Sequence, residues 1–153
     1  MHSRDKRAQL KALHGLGQMR VRGALNDLQR ARASVQALKQ QFEDTQHRIA
    51  QLDRERESLF EQHRGFTDRN GLFSLRRRAS MLDVQRVDLS LSQVQLRSNI
   101  EVAVQEASIA QSAVARAHRE RDKLEHVSRL WHREETISMH LQEEIDGSGG
   151  IPA

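Results

Sequence analysis

Apolar residues recur every seven positions along most of this chain, in two series separated by one glycine-bearing break, and few folds satisfy that pattern. In the first series Val21, Leu28, Val35, Phe42 and Ile49 stand seven apart, and Ala24, Ala31, Leu38, Leu52 and Leu59 occupy companion positions. Alternating steps of three and four keep one apolar stripe turned toward a partner helix. Thr45 interrupts that stripe with a small polar group, and Arg56 breaks it near its end. The second series runs through Leu82, Leu89, Leu96, Ala103, Ala110, Ala117, Leu124 and Trp131, with Ile100, Ala107 and Val114 as companions.

Between the two lie Gly65, Phe66, Thr67, Asp68, Arg69, Asn70 and Gly71, a run of turn chemistry because Gly and Asn adopt positive φ at little cost. Ser74 is placed to cap the helix that follows. So short a connection makes the helices antiparallel neighbours. The expected fold is all-α, a long two-helix antiparallel coiled-coil hairpin over residues 1–146. Arm one covers about 4–64, the tip 65–73 and arm two about 74–146, with 147–153 a disordered tail. Folding about residue 69 sets Leu89 near Ile49, Leu96 near Phe42, Ala103 near Val35 and Ala110 near Leu28. The alanines would let the helices approach closely there, and arms of about 60 to 70 residues would extend roughly 90 to 105 Å. Gly15, Gly17 and Gly23 each cost about 1 kcal/mol relative to Ala in a helix interior. The terminal end is therefore expected to be loose, or ordered by a partner.

Composition supports the same reading. With 3% aromatic residues the chain lacks the bulk to fill a compact globular centre, and its good helix formers suit a narrow shared seam. No cysteine is present, which removes disulfides and thiolate metal sites and fits a reducing compartment. The polar start, Met1 to Lys11, does not resemble a signal peptide, and no apolar run is long enough to span a membrane. A cytosolic protein without direct membrane insertion is expected. The net charge is +4, but 25 basic residues interleave with 21 acidic ones, the pattern of a solvated helix face rather than of a nucleic-acid binder.

Catalytic chemistry finds no foothold. No phosphate-binding loop of the form G-x-x-x-x-G-K occurs, and Gly15-Leu16-Gly17 follows no strand pattern. His126, His132 and His140 are spaced by six and eight residues, without H-E-x-x-H, and read as exposed structural histidines. Carboxylates lie beside Arg and Lys on heptad surface positions, with no pocket to occupy. The expectation is a non-enzyme with no catalytic, cofactor or metal site.

Three features exceed what a plain stalk needs. At the tip Arg64, Phe66, Arg69, Leu72, Phe73, Leu75, Arg76, Arg77 and Arg78 combine apolar groups with a basic cluster. They form either a hydrophobic plug ringed by solvated arginines, with Phe66 as the plug, or a binding surface. Charge is sparse between Val87 and Val114, where Val87, Leu91, Val94, Val102, Val104 and Ile109 fall outside the seam. Either another protein, a third helix or a second copy covers them, or the apolar stripe drifts around the helix by about 20° per heptad. Last, Arg4, Lys6, Arg7, Lys11, Arg20 and Arg22 share an end with Glu134, Glu135, Glu143, Glu144 and Asp146, and cross-seam pairing is the simpler reading.

The stretch Arg121-Asp122-Lys123-Leu124-Glu125 through Leu130-Trp131-His132-Arg133-Glu134-Glu135 resembles the end of helix two in the stalk proteins of type III secretion systems. These are the YscO/HrpO group and its flagellar relative FliJ. The group carries a charged, basic run, a short apolar step and then Arg-Glu followed by Glu or Asp, here Arg133-Glu134-Glu135. Arg20-Val21-Arg22, after a basic start, is a weaker likeness. In architecture the resemblance covers nearly the whole chain; in sequence it covers these short stretches. It implies a hairpin similar to the two-helix part of a rotary ATPase γ subunit, seated in or beneath the hexameric secretion ATPase and reaching the cytosolic ring of the export gate. Translocon chaperones are further implied partners, and the implied location is cytoplasmic, peripheral at the inner membrane through the apparatus. In the flagellar relative, gate contacts lie around the beginning of helix two, here Leu72 to Arg86. Leu72, Phe73, Leu75, Arg76, Arg77 and Arg78 are thus candidate partner-binding residues at the tip. The alternative is a generic coiled-coil scaffold or chaperone that holds a partner helix on arm two through Leu91, Val94, Val102 and Ile109.

Overall fold

The computed structural model describes residues 2–65 and 68–148. Two helices take up nearly all of them: α1 (His2–Gln62) and α2 (Arg69–Ser148), the arms of an all-α hairpin with no strand among the described residues. α1 runs unbroken through Gly15, Gly17 and Gly23. Leu, Met, Arg and Gln around these glycines are good helix formers and carry the turns. A Cβ added at Gly23 meets nothing within 4 Å. Gly23→Ala is therefore expected to stabilise the protein by about 1 kcal/mol, seen as a higher midpoint in thermal circular dichroism.

Between the helices, the Arg64 amide donates to the Glu61 carbonyl at 3.3 Å, and Gly65 takes φ +86°, the left-handed conformation that ends helices. α2 then begins earlier than its sequence suggests. Asp68 caps it: its Oδ1 accepts the Asn70 amide at 3.3 Å and its carbonyl accepts the Leu72 amide at 3.0 Å. The cap is thus Asp68 rather than Ser74, and Arg69 to Phe73, expected in the tip, form the first turns of α2. Asn70 and Gly71 tolerate helical φ as readily as turn φ, so the cap decides the boundary. Phe66 and its expected role as a plug lie outside the described residues. At the other end Gly147 and Ser148 belong to α2, whereas residues 149–153 of the expected tail lie outside the description.

Contacts group the chain into two units, each holding a stretch of both helices: Met1–Leu28 with Ile109–Ala153, and Gln29–Ser108. In the turn-side unit, 29–108, the seam follows the heptad stripe. Leu52, Ala79 and Ala103 are buried there; Val35, Leu38, Phe42, Ile49, Leu59, Leu82, Leu89, Leu96 and Ile100 are half-buried. Leu52 is 1% exposed, and burial of that completeness stabilises a leucine by about 1.5–3 kcal/mol.

Where Arg56 and Arg86 interrupt the stripe, each crosses to an aspartate of the other helix. Arg56 Nε lies 2.8 Å from Asp83 Oδ1, and Arg86 Nε lies 2.7 Å from Asp53 Oδ1. Both pairs are symmetric about a point between residues 69 and 70, next to the folding axis expected from sequence. The Arg97 guanidinium over the Phe42 ring, at 5.8 Å, obeys the same register. The hydrogen bond to Asp53, that carboxylate's charge and then Asp83 hold the Arg86 guanidinium above its ordinary pKa, against desolvation. These side chains are about half exposed, so Asp53→Ala is expected to lower the melting midpoint only slightly. Asp53→Arg gathers a third guanidinium beside Arg56 and Arg86 and should cost more, with the difference shrinking in high salt in thermal melts.

The terminal unit, 2–28 with 109–148, buries Gly17, Val21 and Leu28, and half-buries Ala24, Ala110, Val114, Ala117, Leu124 and Trp131. Gly17 is a seam residue. A Cβ built on it would stand 3.4 Å from Leu124 Cδ1 and 3.9 Å from Arg121 Cα. The glycine that weakens the helix by propensity thus admits the backbone of α2 at close range.

Candidate protein-interaction surfaces

The start of α2 presents the basic cluster. Leu72 and Phe73 are exposed, Phe73 by 63%, and so are Arg69, Arg76, Arg77 and Arg78. None of these four arginines takes part in an ion pair among the described residues. Leu75 departs from the expected set. It stands four residues before Ala79 on the seam side of α2 and is half-buried, so it packs within the hairpin rather than facing a partner. Phe73, Arg76 and Arg77 line a shallow groove with Ser74 and Ser80.

The second surface lies on α2 away from α1. Leu91, Val94, Val102 and Ile109 are all exposed, by 55 to 65%. Val84, Val87, Leu91, Val94 and Val102 each sit two positions from a seam residue, namely Leu82, Leu89, Leu89, Leu96 and Ile100. Two positions on a helix are about 200°. The stripe therefore occupies the side of α2 opposite the seam. Gradual drift does not produce it, because the seam itself continues on the other side through Leu82, Leu89, Leu96 and Ile100. Met81 and Val84, exposed and not singled out from sequence, bring apolar surface closer to the tip. A search for residues offset by two from the second heptad series would have found Val84.

In the terminal unit the expected charge pairing is sparse. Arg7 meets Glu135 at 3.5 Å, but Arg20 turns to Glu120 at 3.7 Å. Given the Arg7–Glu135 pairing, the C-terminal end of α2 runs past the start of α1. Beside or beyond that start, Glu134, Glu144 and Asp146 join no ion pair among the described residues. Leu130, Ile137 and Leu141 in the last part of α2 are exposed. Leu10, His14, Ser128, Trp131 and His132 line an open groove, with Trp131 edge-on to His132 at 5.2 Å. Among the described residues no three His, Cys, Asp or Glu side chains are placed to hold a metal ion, and no helix is long and apolar enough to cross a membrane.

No known protein family, curated protein or solved structure matches this chain. The likeness to type III secretion stalks rests on the residues quoted for it.

Proposed function

We propose that this chain is a non-enzymatic stalk or adaptor of a type III protein secretion apparatus, linking the secretion ATPase to the cytosolic ring of the export gate and handling translocon chaperones. In this reading it works in the cytoplasm, peripheral at the inner membrane through the apparatus. The observation that supports it is the exposed, cation-rich start of α2. Arg69 in the first turn opposes the helix dipole, and Arg76, Arg77 and Arg78 follow without acidic partners among the described residues. That arrangement costs the hairpin a little stability and suits a partner with an acidic surface. Arginines steer encounter with such a surface, while Leu72 and Phe73 supply apolar anchors. No reaction step is assigned; function is binding at separated surfaces.

The exposed stripe on α2 favours a second reading, a scaffold or chaperone that holds a partner helix. Crosslinked affinity capture of the tagged chain from cells, read by mass spectrometry, separates the two. Recovery of a hexameric ATPase with gate-ring subunits supports the stalk. Recovery of one dominant small client, with neither of those, replaces it with the chaperone.

A further inference from the structure

We infer that one flank of the seam in the terminal unit is a docking groove for the same flank of a second copy, the two α2 helices crossing antiparallel between Val127 and Leu130. Leu13, Leu16 and Gly17 of α1 line an open groove on this flank with Glu120, Lys123 and Leu124 of α2. The α2 edge of that groove is one helical line, in which Lys123, Val127, Leu130, Glu134, Ile137 and Leu141 follow at steps of four and three. The same steps reach back to Glu120 and Arg116 and on to Glu144. The opposite flank is polar, rimmed by Lys11, His14, Glu125, Arg129 and His132. Apolar surface is thus gathered on one side of the seam, where Leu13, Leu16, Val127, Leu130, Ile137 and Leu141 are each 44 to 54% exposed.

The order of charges along the line selects the occupant. Arg116 and Lys123 precede the Val127–Leu130 centre, and Glu134 and Glu144 follow it. None of these four joins an ion pair among the described residues. A second copy laid antiparallel about that centre sets Val127 against its Leu130 and Lys123 against its Glu134. Arg116 then lies within a helical turn of the Glu144 of the second copy. Each contact is made twice, as a two-fold interface requires. A parallel second copy would set Lys123 beside Lys123 and Glu134 beside Glu134, so the charges choose the antiparallel orientation. Glu120 falls opposite Ile137, but Arg20 of its own chain already holds it at 3.7 Å. The six apolar side chains and the aliphatic stems between them offer on the order of 800 Å² per copy, the share that a standard stable interface takes. All of these residues belong to the terminal unit.

The pairing does not depend on the secretion reading and is tested without any other partner. Sedimentation equilibrium of the full chain is expected to give the mass of two copies. Lys123→Glu and Glu134→Lys should each weaken the dimer at least tenfold, because each sets like charges together at two places. Mixing the two variants, or combining both changes in one chain, should restore it. The chain contains no cysteine, so introduced thiols report on single contacts. Glu120→Cys refolded together with Ile137→Cys is expected to be joined by a short bismaleimide, and neither variant alone should be, since equal positions then stand far apart. Leu91→Asp, on the face of α2 away from α1, should leave the dimer intact, and circular dichroism checks that every variant keeps its helices. A monomer at tens of micromolar, or a dimer that is indifferent to both charge reversals, would overturn the proposal and leave the groove to a helix of another protein.

Discussion

Leu52→Asp is expected to melt most of the turn-side unit at room temperature. The position is 1% exposed, the most enclosed large side chain among the described residues. A carboxylate there is either ionised without a partner or neutralised at a cost in proton affinity, and the packing of a leucine is lost as well. Together these are on the order of 3–5 kcal/mol. The seam has little in reserve, since Val21, Leu28, Leu52, Ala79 and Ala103 are its only fully buried apolar residues among those described. Circular dichroism at 222 nm should fall by a large fraction. Leu91→Asp is the control: that side chain is 64% exposed on the far side of α2, and helicity should hold. Leu38 and Leu96, half-buried in the seam, should give intermediate losses on the same substitution. Equal helicity for Leu52→Asp and Leu91→Asp would mean that the seam and the outward face of α2 have been assigned wrongly.

Reversing Arg76, Arg77 and Arg78 together to Glu should leave the hairpin folded and remove capture of acidic partners. No internal ion pair is lost, because these side chains make none among the described residues. Partner affinity is expected to fall by roughly a hundredfold, about 3 kcal/mol, if the three charges meet an acidic surface. Crosslinked recovery of the proposed partners, the secretion ATPase or gate subunits, is the readout. Undiminished recovery with helicity intact would take the start of α2 out of partner binding. A matched reversal at Arg30 and Arg32 of α1, also exposed, should change little and guards against a general charge effect.

The hairpin was legible because its seam is written in one variable, the spacing of apolar residues, and a seven-residue period admits few alternatives. Val21, Leu28, Leu52 and Ala103 all lie where the period puts them. What escaped depends on two residues choosing each other. Arg56 looks like a defect in the stripe until Asp83 is opposite it, and Arg86 likewise until Asp53 is. The boundary of α2 escaped because Asn70 and Gly71 serve turns and first helical turns alike, and only the Asp68 hydrogen bonds distinguish them. Leu75 was assigned outward by its neighbours among the arginines, although its four-residue step to Ala79 marks the seam. The outer stripe was noticed as residues out of place. Its regularity emerges only when each is measured from the seam beside it.

In an antiparallel pair of helices, the chain between two touching residues lengthens with every step away from the turn. Asp53 and Arg86 close a short loop, whereas Arg7 and Glu135 enclose most of the protein. Closing a long loop from an unstructured chain costs more entropy than closing a short one. Assembly is therefore cheapest beside Gly65 and proceeds outward like a zip, each new layer seated on the last. Opening retraces the route from the free ends. The native state thereby acquires a gradient in time: amide protons near the termini exchange first, and those around Leu52 last.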